Sequence, residues 1–98
     1  MKKALFAEFL GTFLLILVGA GSIVAAQADL LGVALAHGLA IAVAAAALGG
    51  LSGGHFNPAI SAAFLATKRL SLNDFVAYVL SQLAGATAAA LILKWIFT

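Results

Sequence analysis

The polar side chains that could do chemistry in this chain are few and widely spaced: they are Glu8, His37, His55, Asn57 and Gln82. They contain no nucleophile–base pair, the chain has no cysteine, and the histidine spacing suits no metal site. We therefore expect no catalysis, no metal and no cofactor. In apolar surroundings such groups instead hydrogen-bond a buried backbone, a neighbouring helix or a passing polar molecule.

The composition indicates what surrounds these groups. Of 98 residues, 65% are hydrophobic and 8% are charged, whereas a soluble domain averages about 25% charged residues. Such a chain cannot cover itself with a polar surface, so we expect a membrane protein. The basic residues lie at segment ends, where long cationic side chains reach lipid headgroups, and not in a patch for nucleic acid. They are Lys2, Lys3, Lys68, Arg69 and Lys94.

The apolar segments predict an all-α membrane protein with three transmembrane helices and one re-entrant half-helix, in a single domain. The spans cover about residues 4–26, 31–48 and 74–95. At ~1.5 Å per residue each is long enough for a hydrocarbon layer of ~30 Å. The letters SLND from Ser71 to Asp74 resemble a capping box and predict the start of the third span.

The N-terminal segment allows one alternative. Two lysines, an apolar stretch and the letters AQAD from Ala26 to Asp29 resemble a signal peptide with its cleavage site. Glu8 lies early in that stretch, where a signal peptide favours uninterrupted hydrophobicity. We therefore predict a retained first span.

The stretch SGGHFNPAIS, residues 52–61, contains the only proline and lies within 38 residues that have no charged side chain. Irregular backbone at membrane depth is tolerated where it is buried in protein or lines a watery cavity. We predict a re-entrant loop at 49–56 and a half-helix at 57–69, with Asn57 as N-cap and Pro58 as first residue. The positive end of that helix would then lie at the membrane centre, as in a discontinuous-helix site for a polar permeant. The alternative is an ordinary turn.

Small residues recur at every fourth position in two of the predicted spans. Such rows let helix backbones approach closely in lipid. The alternative is that the spacing arises by chance in alanine-rich helices. Chance is a weaker explanation for the five-member row of the second span. The row in the second span is Ala34, Gly38, Ala42, Ala46 and Gly50, and the row in the third span is Ser81, Gly85 and Ala89.

Three stretches carry a resemblance to a known family: AEFLGTFLL at 7–15, SGGHFNPAIS at 52–61 and SQLAGATAAAL at 81–91. Over essentially its whole length the chain resembles the aquaporin and glycerol-facilitator family, the major intrinsic proteins. Members of that family look like two inverted repeats, each with three spans and one Asn-Pro-Ala half-helix, whose helix starts meet at the midplane. The resemblance is to the first repeat, and this chain has one such triplet and no second AEF segment, so it contains no internal repeat.

The resemblance implies roles for the polar residues. Asn57, which forms the triplet with Pro58 and Ala59, would donate its amide hydrogens to passing water or polyol. Glu8 would be a buried acid that anchors the backbone of the re-entrant loop. From its place in the third span, Gln82 is a candidate for interhelical hydrogen bonding. The backbone carbonyls of the loop at Gly53, Gly54 and His55 would line the entrance. The His55 side chain would also help to shape the loop.

His37 lies twenty residues before Asn57, where family members place the second-helix residue of their selectivity ring. Histidine there resembles the plant vacuolar subgroup, and the alternative is a packed core histidine. Family offsets from Asn57 also mark Ala45, Gly54 and Ile60. In the family, the filter arginine follows the second triplet. The matching position after the triplet of this chain is Ile60, so that arginine is absent here. Each of the two rings built from two copies of this chain would therefore have one imidazole donor and no fixed cation.

These features predict one half of a passive channel for water or small neutral solutes such as glycerol. A second half in the bilayer, either an inverted copy or a separate chain, would complete it, and such pairs would assemble further. Four basic residues on one side against one on the other predict a cytoplasmic N-terminus in the cell inner or plasma membrane. The alternative is a non-conducting membrane interaction module or a truncated channel fragment.

Overall fold

A computed structural model describes residues 1–25 and 27–98, which fold into helices joined by short connections. The predicted all-α fold, with three long apolar helices and one half-helix, is confirmed, and the chain is an integral membrane protein. The predicted end of the first span, Ala26, lies outside the described residues. The helices are α1 (Lys2–Val24), α2 (Leu30–Ser52), α3 (Pro58–Ala66) and α4 (Leu72–Phe97).

Helix α1 is central, because it packs against both α2 and α4, while α3 packs against α4. The contact between α1 and α4 is close: a Cβ atom on Gly85 would lie 2.2 Å from the backbone oxygen of Phe9. Across the same interface the Ser81 hydroxyl donates to the carbonyl of Leu5 at 2.6 Å. Small residues on α4 therefore bring two backbones into direct contact, as expected for helices that associate in lipid.

Helix α2 extends further than the sequence predicts. It begins after Asp29, whose carboxylate accepts a first-turn N–H at 2.7 Å. It ends at Gly53, which lies in the left-handed region with a φ of 89° that glycine adopts without steric penalty. Residues 49–52 keep helical geometry, so the non-helical connection begins at Gly53 and not at residue 49.

Helix α3 is shorter than the predicted 57–69. Asn57 is its N-cap and Pro58 its first residue. At its other end the N–H groups of Lys68 and Arg69 bond back to helix carbonyls at 3.1 and 2.8 Å, with a φ of 62° at Lys68. This pair of bonds is a Schellman motif, which ends the helix and leaves two cations at the negative end of its dipole.

Helix α4 starts where the capping-box pattern predicts. The Ser71 hydroxyl accepts the backbone N–H of Asp74 at 3.2 Å. The helix continues to Phe97, with Lys94 in its last turn and Trp95 exposed beside it. Long cations and amphipathic rings are the residues that settle at a membrane interface, so both ends of α4 suit the two surfaces of a bilayer.

The small-residue row on α2 lies open in the single chain. All its members are exposed, and a Cβ atom on Gly38 or Gly50 would meet no atom within 4 Å. Helix α2 is also the least buried of the three spans. We call the surface formed by Ala34, Gly38, Ala42, Ala46 and Gly50 the open face of α2.

Candidate functional site

The site predicted from the sequence centres on Asn57, which is exposed at the start of α3. Its side-chain oxygen accepts the backbone N–H of Ala59 at 2.8 Å. Because the oxygen is used in this way, the amide nitrogen points away from that bond, and it donates to none of the described residues. Two amide hydrogens without partners therefore lie beside the positive end of α3.

The connection before α3 supplies acceptors a few residues from these donors. Gly53 and Gly54 have positive φ values of 89° and 71°, and they turn the chain from α2 towards α3. The carbonyl oxygens of Gly53, Gly54 and His55 accept no hydrogen bond from residues 1–25 or 27–98. Backbone groups without protein partners need water or another polar partner, so this connection has three open acceptors.

Glu8 binds this connection from α1. The side chain is fully buried. Oε2 accepts the Ser52 hydroxyl at 2.6 Å and the His55 N–H at 3.1 Å. Oε1 accepts the Phe56 N–H and the Gln82 amide, both at 2.8 Å. Every partner is a donor, which is the arrangement that a buried carboxylate requires.

Phe56 is the strained residue of the connection. Its φ of 55° is uncommon for a side chain of this size. The hydrogen bond from its N–H to Glu8 and the burial of its ring offset that cost. The ring lies against α1, where a Cβ atom on Gly11 would be 2.1 Å from ring atom Cε1. Gly11 thus provides the space in which the connection descends beside α1.

A second group of hydrogen bonds joins α3 and α4 to the connection. Gln82 donates from Nε2 to both Glu8 and Ser61, at 2.8 and 2.9 Å. The Ser61 hydroxyl oxygen lies 2.8 Å from Nδ1 of His55, and the His55 ring stacks on Phe64 with centroids 4.3 Å apart. The side chains of Gln82, Ser61 and His55 are all buried. The His55 side chain therefore belongs to the packed interior.

His37 lies on α2 where that helix meets α1, and it is partly buried. Its Nδ1 atom is 2.8 Å from the carbonyl oxygen of Val33. A carbonyl oxygen only accepts, so Nδ1 carries the hydrogen and the neutral ring has no second N–H. The imidazole donor expected in a selectivity ring is therefore not free on a neutral His37.

The remaining predicted residues are apolar or small. Ala45 on α2 and Ile60 on α3 are both exposed, and Pro58 is partly buried. The structure links Glu8 and Gln82 to the connection before Asn57 through hydrogen bonds. Among residues 1–25 and 27–98, the His37 side chain bonds to Val33 of its own helix and to no other residue.

The family model described as "Major intrinsic protein" matches residues 1–98. The chain belongs to the major intrinsic protein family. The resemblance found in the sequence is thereby confirmed. Similar proteins include "Glycerol uptake facilitator protein-like 6" of Lactiplantibacillus plantarum, which is 48% identical over 96% of this chain and 43% of its own length. "Aquaporin Z" of Brucella melitensis is 48% identical over 95% of this chain and 43% of its own length. "Aquaporin-5" of Rattus norvegicus is 47% identical over 96% of this chain and 37% of its own length.

The chain spans about two fifths of the length of these major intrinsic proteins. Relatives named for glycerol uptake and relatives named aquaporin match it at nearly the same identity. Identity over the matched part therefore does not separate the two groups of the family.

Three polar residues that complete the site in this major intrinsic protein were missed by sequence analysis: Ser52, Ser61 and Tyr78. The Tyr78 hydroxyl donates to the carbonyl of Ser52 at 2.7 Å, which joins α4 to the end of α2. Helical spacing carried a signal for two of them. Tyr78 lies one turn before Gln82 on α4, and Ser61 lies one turn after Asn57.

Proposed function

We propose that this chain is one half of a passive channel for water or small neutral solutes such as glycerol, completed by association with a second half. The observation that carries the proposal is the unpaired amide of Asn57 at the positive end of α3, close in sequence to backbone carbonyls without partners. Donors and acceptors in adjacent positions suit a neutral permeant that both donates and accepts hydrogen bonds. No covalent step is involved, so we propose no catalytic role.

The need for a second half follows from the length of α3. Nine residues at ~1.5 Å each give about 13 Å of helix, less than half of a ~30 Å hydrocarbon layer. The start of α3 and the connection before it therefore lie at membrane depth, where lipid cannot satisfy open backbone groups. A second protein surface must cover one side of them and leave a watery path.

The open face of α2 is the surface that we propose for this association. Its small residues allow another helix to approach closely, as Gly85 does between α4 and α1. A two-fold contact uses the same surface patch on both partners. When the chain is alone in a bilayer, the available second half is an inverted copy; a separate chain is the other candidate.

In this proposal His37 of one copy narrows each mouth of the path, and residues of the other copy at the family offsets from Asn57 form the rest of its wall. These residues, Ala45, Gly54 and Ile60, carry no polar side chain, and no fixed cation lies among them. Such a mouth is wider and less polar than a strict water filter. We therefore expect glycerol-sized solutes to pass as well as water.

The direct test of the role of Asn57 is the variant Asn57→Asp in proteoliposomes. Aspartate keeps the N-cap acceptor of α3 but places an acid in the proposed path. We expect water and glycerol fluxes to fall and a cation leak to appear. Asn73→Asp makes the same chemical change at an exposed position on α4 and should leave flux unchanged. A conducting protein whose rate and selectivity are untouched by Asn57→Asp would contradict the assignment.

We further propose that the N-terminus lies in the cytoplasm, in the cell inner or plasma membrane. Lys2, Lys3, Lys68 and Arg69 fall on one side and Lys94 on the other. Cysteines at Ala4 and Thr98 can be probed in intact cells with a thiol reagent that does not cross membranes. We expect labelling at Thr98→Cys alone. Strong labelling at both positions would show dual insertion, which a pair of inverted copies in cells requires and which the charge distribution disfavours.

A further inference from the structure

The ring of His37 is fixed by a hydrogen bond at one edge and lies against helix α1 at the other edge. Nδ1 donates to the carbonyl of Val33, one turn earlier on α2, at 2.8 Å. The far edge of the ring faces α1 at Gly19: a Cβ atom there would lie 2.6 Å from both Cδ2 and Nε2 and 3.1 Å from Cε1. Those separations are shorter than van der Waals contact, so the ring occupies volume that any other residue at position 19 would need.

We propose that Gly19 is a positioning residue for His37, and that this contact sets the size limit of the mouth that His37 lines. The inference rests on the proposed function, because it assigns His37 to a permeation path. With Nδ1 bonded to Val33 and Nε2 against Gly19, a neutral His37 offers no N–H to a permeant. It restricts the path by the volume of its ring and not by a hydrogen bond, so it selects among neutral solutes by size.

A side chain at position 19 would move the ring in a known direction. Helix α1 lies against the ring at Gly19, so a Cβ there would push the ring away from α1 and into the proposed mouth. The displacement breaks the bond to Val33 and narrows the proposed mouth. Gly19→Ala should therefore reduce glycerol permeability more than water permeability.

A four-member cycle tests this coupling: the unmodified chain, Gly19→Ala, His37→Ala and the double variant, all in proteoliposomes. We expect Gly19→Ala to lower the glycerol-to-water permeability ratio at least about threefold, near the lower end for residues in contact. In the His37→Ala background the same change should have almost no effect, because the ring is gone. Gly21→Ala is the matched control on α1, since its Cβ would meet only Leu93, at 3.3 Å. An equal effect of Gly19→Ala in both backgrounds would overturn the proposal.

Two further outcomes separate this inference from the proposed function. Nitrogen NMR of the imidazoles in micelles, assigned with His37→Ala, needs no conduction. It should show His37 with hydrogen on Nδ1, a signature that Gly19→Ala alters and Gly21→Ala does not. A hydrogen on Nε2, or a spectrum that Gly19→Ala leaves unchanged, would overturn the positioning role even in a conducting protein. The expected spectrum from a protein that conducts nothing would retain the positioning role and reject a pore formed by two copies of this chain.

Folding of the variants provides the last check. If Gly19→Ala alone prevents folding, the double variant should restore it, because removal of the ring frees the space that the new Cβ needs. Failure of both variants to fold would show that Gly19 serves helix packing only, and would contradict the proposal.

Discussion

The two small-residue rows of this chain have the same sequence pattern and opposite environments. On α4, Gly85 and Ala89 are buried, and the backbone of α1 lies so close that a Cβ on Gly85 would meet the Phe9 oxygen at 2.2 Å. On α2, every member of the row is exposed, and a Cβ on Gly38 would meet nothing within 4 Å. The pattern predicts that a helix can be approached closely; it does not specify which partner approaches it.

The difference coincides with the distribution of buried polar groups. The packed face between α1 and α4 includes Glu8, which bonds to the connection before α3, and Gln82, which bonds to Glu8 and to Ser61 of α3. Helix α2 bonds to this group at its last residue, Ser52, whose hydroxyl donates to Glu8 and whose carbonyl accepts from Tyr78. The single chain thus has a hydrogen-bonded side, where α1, α3 and α4 meet, and an open face on α2.

The largest expected effect comes from removing the carboxylate that accepts four hydrogen bonds on the hydrogen-bonded side. Glu8→Gln replaces one acceptor oxygen by an amide group that faces donors. We expect it to lower the free energy of unfolding by about 3 kcal/mol, since buried donors lose a charged partner. The measurement is SDS titration in mixed micelles. Asp74→Asn neutralises a partly exposed acid on α4 and should cost at most about 0.5 kcal/mol. Equal losses would show that the four hydrogen bonds of Glu8 do not stabilise the fold.

Next in size is a matched pair of glycine substitutions, one in each row. Gly85→Ala places a Cβ against the backbone of α1, which no rotation of a side chain can relieve, and should cost about 2 kcal/mol. Gly38→Ala has open space around it and should be neutral or stabilise the chain slightly, because alanine favours helix more than glycine does. Thermal unfolding followed by circular dichroism compares them. Similar melting temperatures for the two variants would remove the contrast between the rows.

A smaller effect should appear in association and not in folding. Ala42→Leu adds bulk to the open face of α2 and should weaken association of the chain with itself at least about tenfold, or ~1.4 kcal/mol. Ala84→Leu makes the same change at an exposed position of α4 outside its row and should have no effect. Analytical ultracentrifugation in detergent measures both. Unchanged association in Ala42→Leu would mean that the open face contacts lipid only.

The smallest effect concerns the link between the two sides. The Tyr78 hydroxyl donates to the carbonyl at the end of α2, and Tyr78→Phe removes that bond while keeping the ring beside His55. We expect a loss of about 1 kcal/mol in unfolding free energy. Faster hydrogen exchange should appear at the end of α2, with α1 unaffected. If Tyr78→Phe changed hydrogen exchange equally along the whole chain, the bond would not specifically join α4 to the end of α2.

Local signals in the sequence predicted the helix starts well. Asn57 and Pro58 form the start of α3 and Ser71 caps α4, because capping depends on neighbours within a few residues. The end of α2 was placed too early: two glycines at 49 and 50 resembled a break, yet they keep helical geometry. Composition cannot show that the helix stops only where a positive φ is needed, at Gly53.

Partners that lie far apart in sequence could not be predicted from the residues themselves. Glu8 bonds to groups 44 to 74 positions away. The rings of Phe56 and His37 occupy the space beside Gly11 and Gly19, and the sequence does not show that these pairs meet. Family resemblance supplied an expectation for Glu8, but residues such as Ser52 and Tyr78 gained their roles from the packing of whole helices. The roles of Asn57, His37 and the loop carbonyls in permeation remain predictions.

The most direct test of the half-channel is osmotic shrinkage of liposomes that contain this chain alone, measured over a series of protein-to-lipid ratios. Reconstitution from detergent does not select one orientation, so inverted copies can meet. We expect water permeability above that of empty liposomes, rising with the square of protein density at low density, and reduced by Ala42→Leu but not by Ala84→Leu. No permeability from protein shown to be folded and inserted would contradict a pore completed by a second copy of this chain.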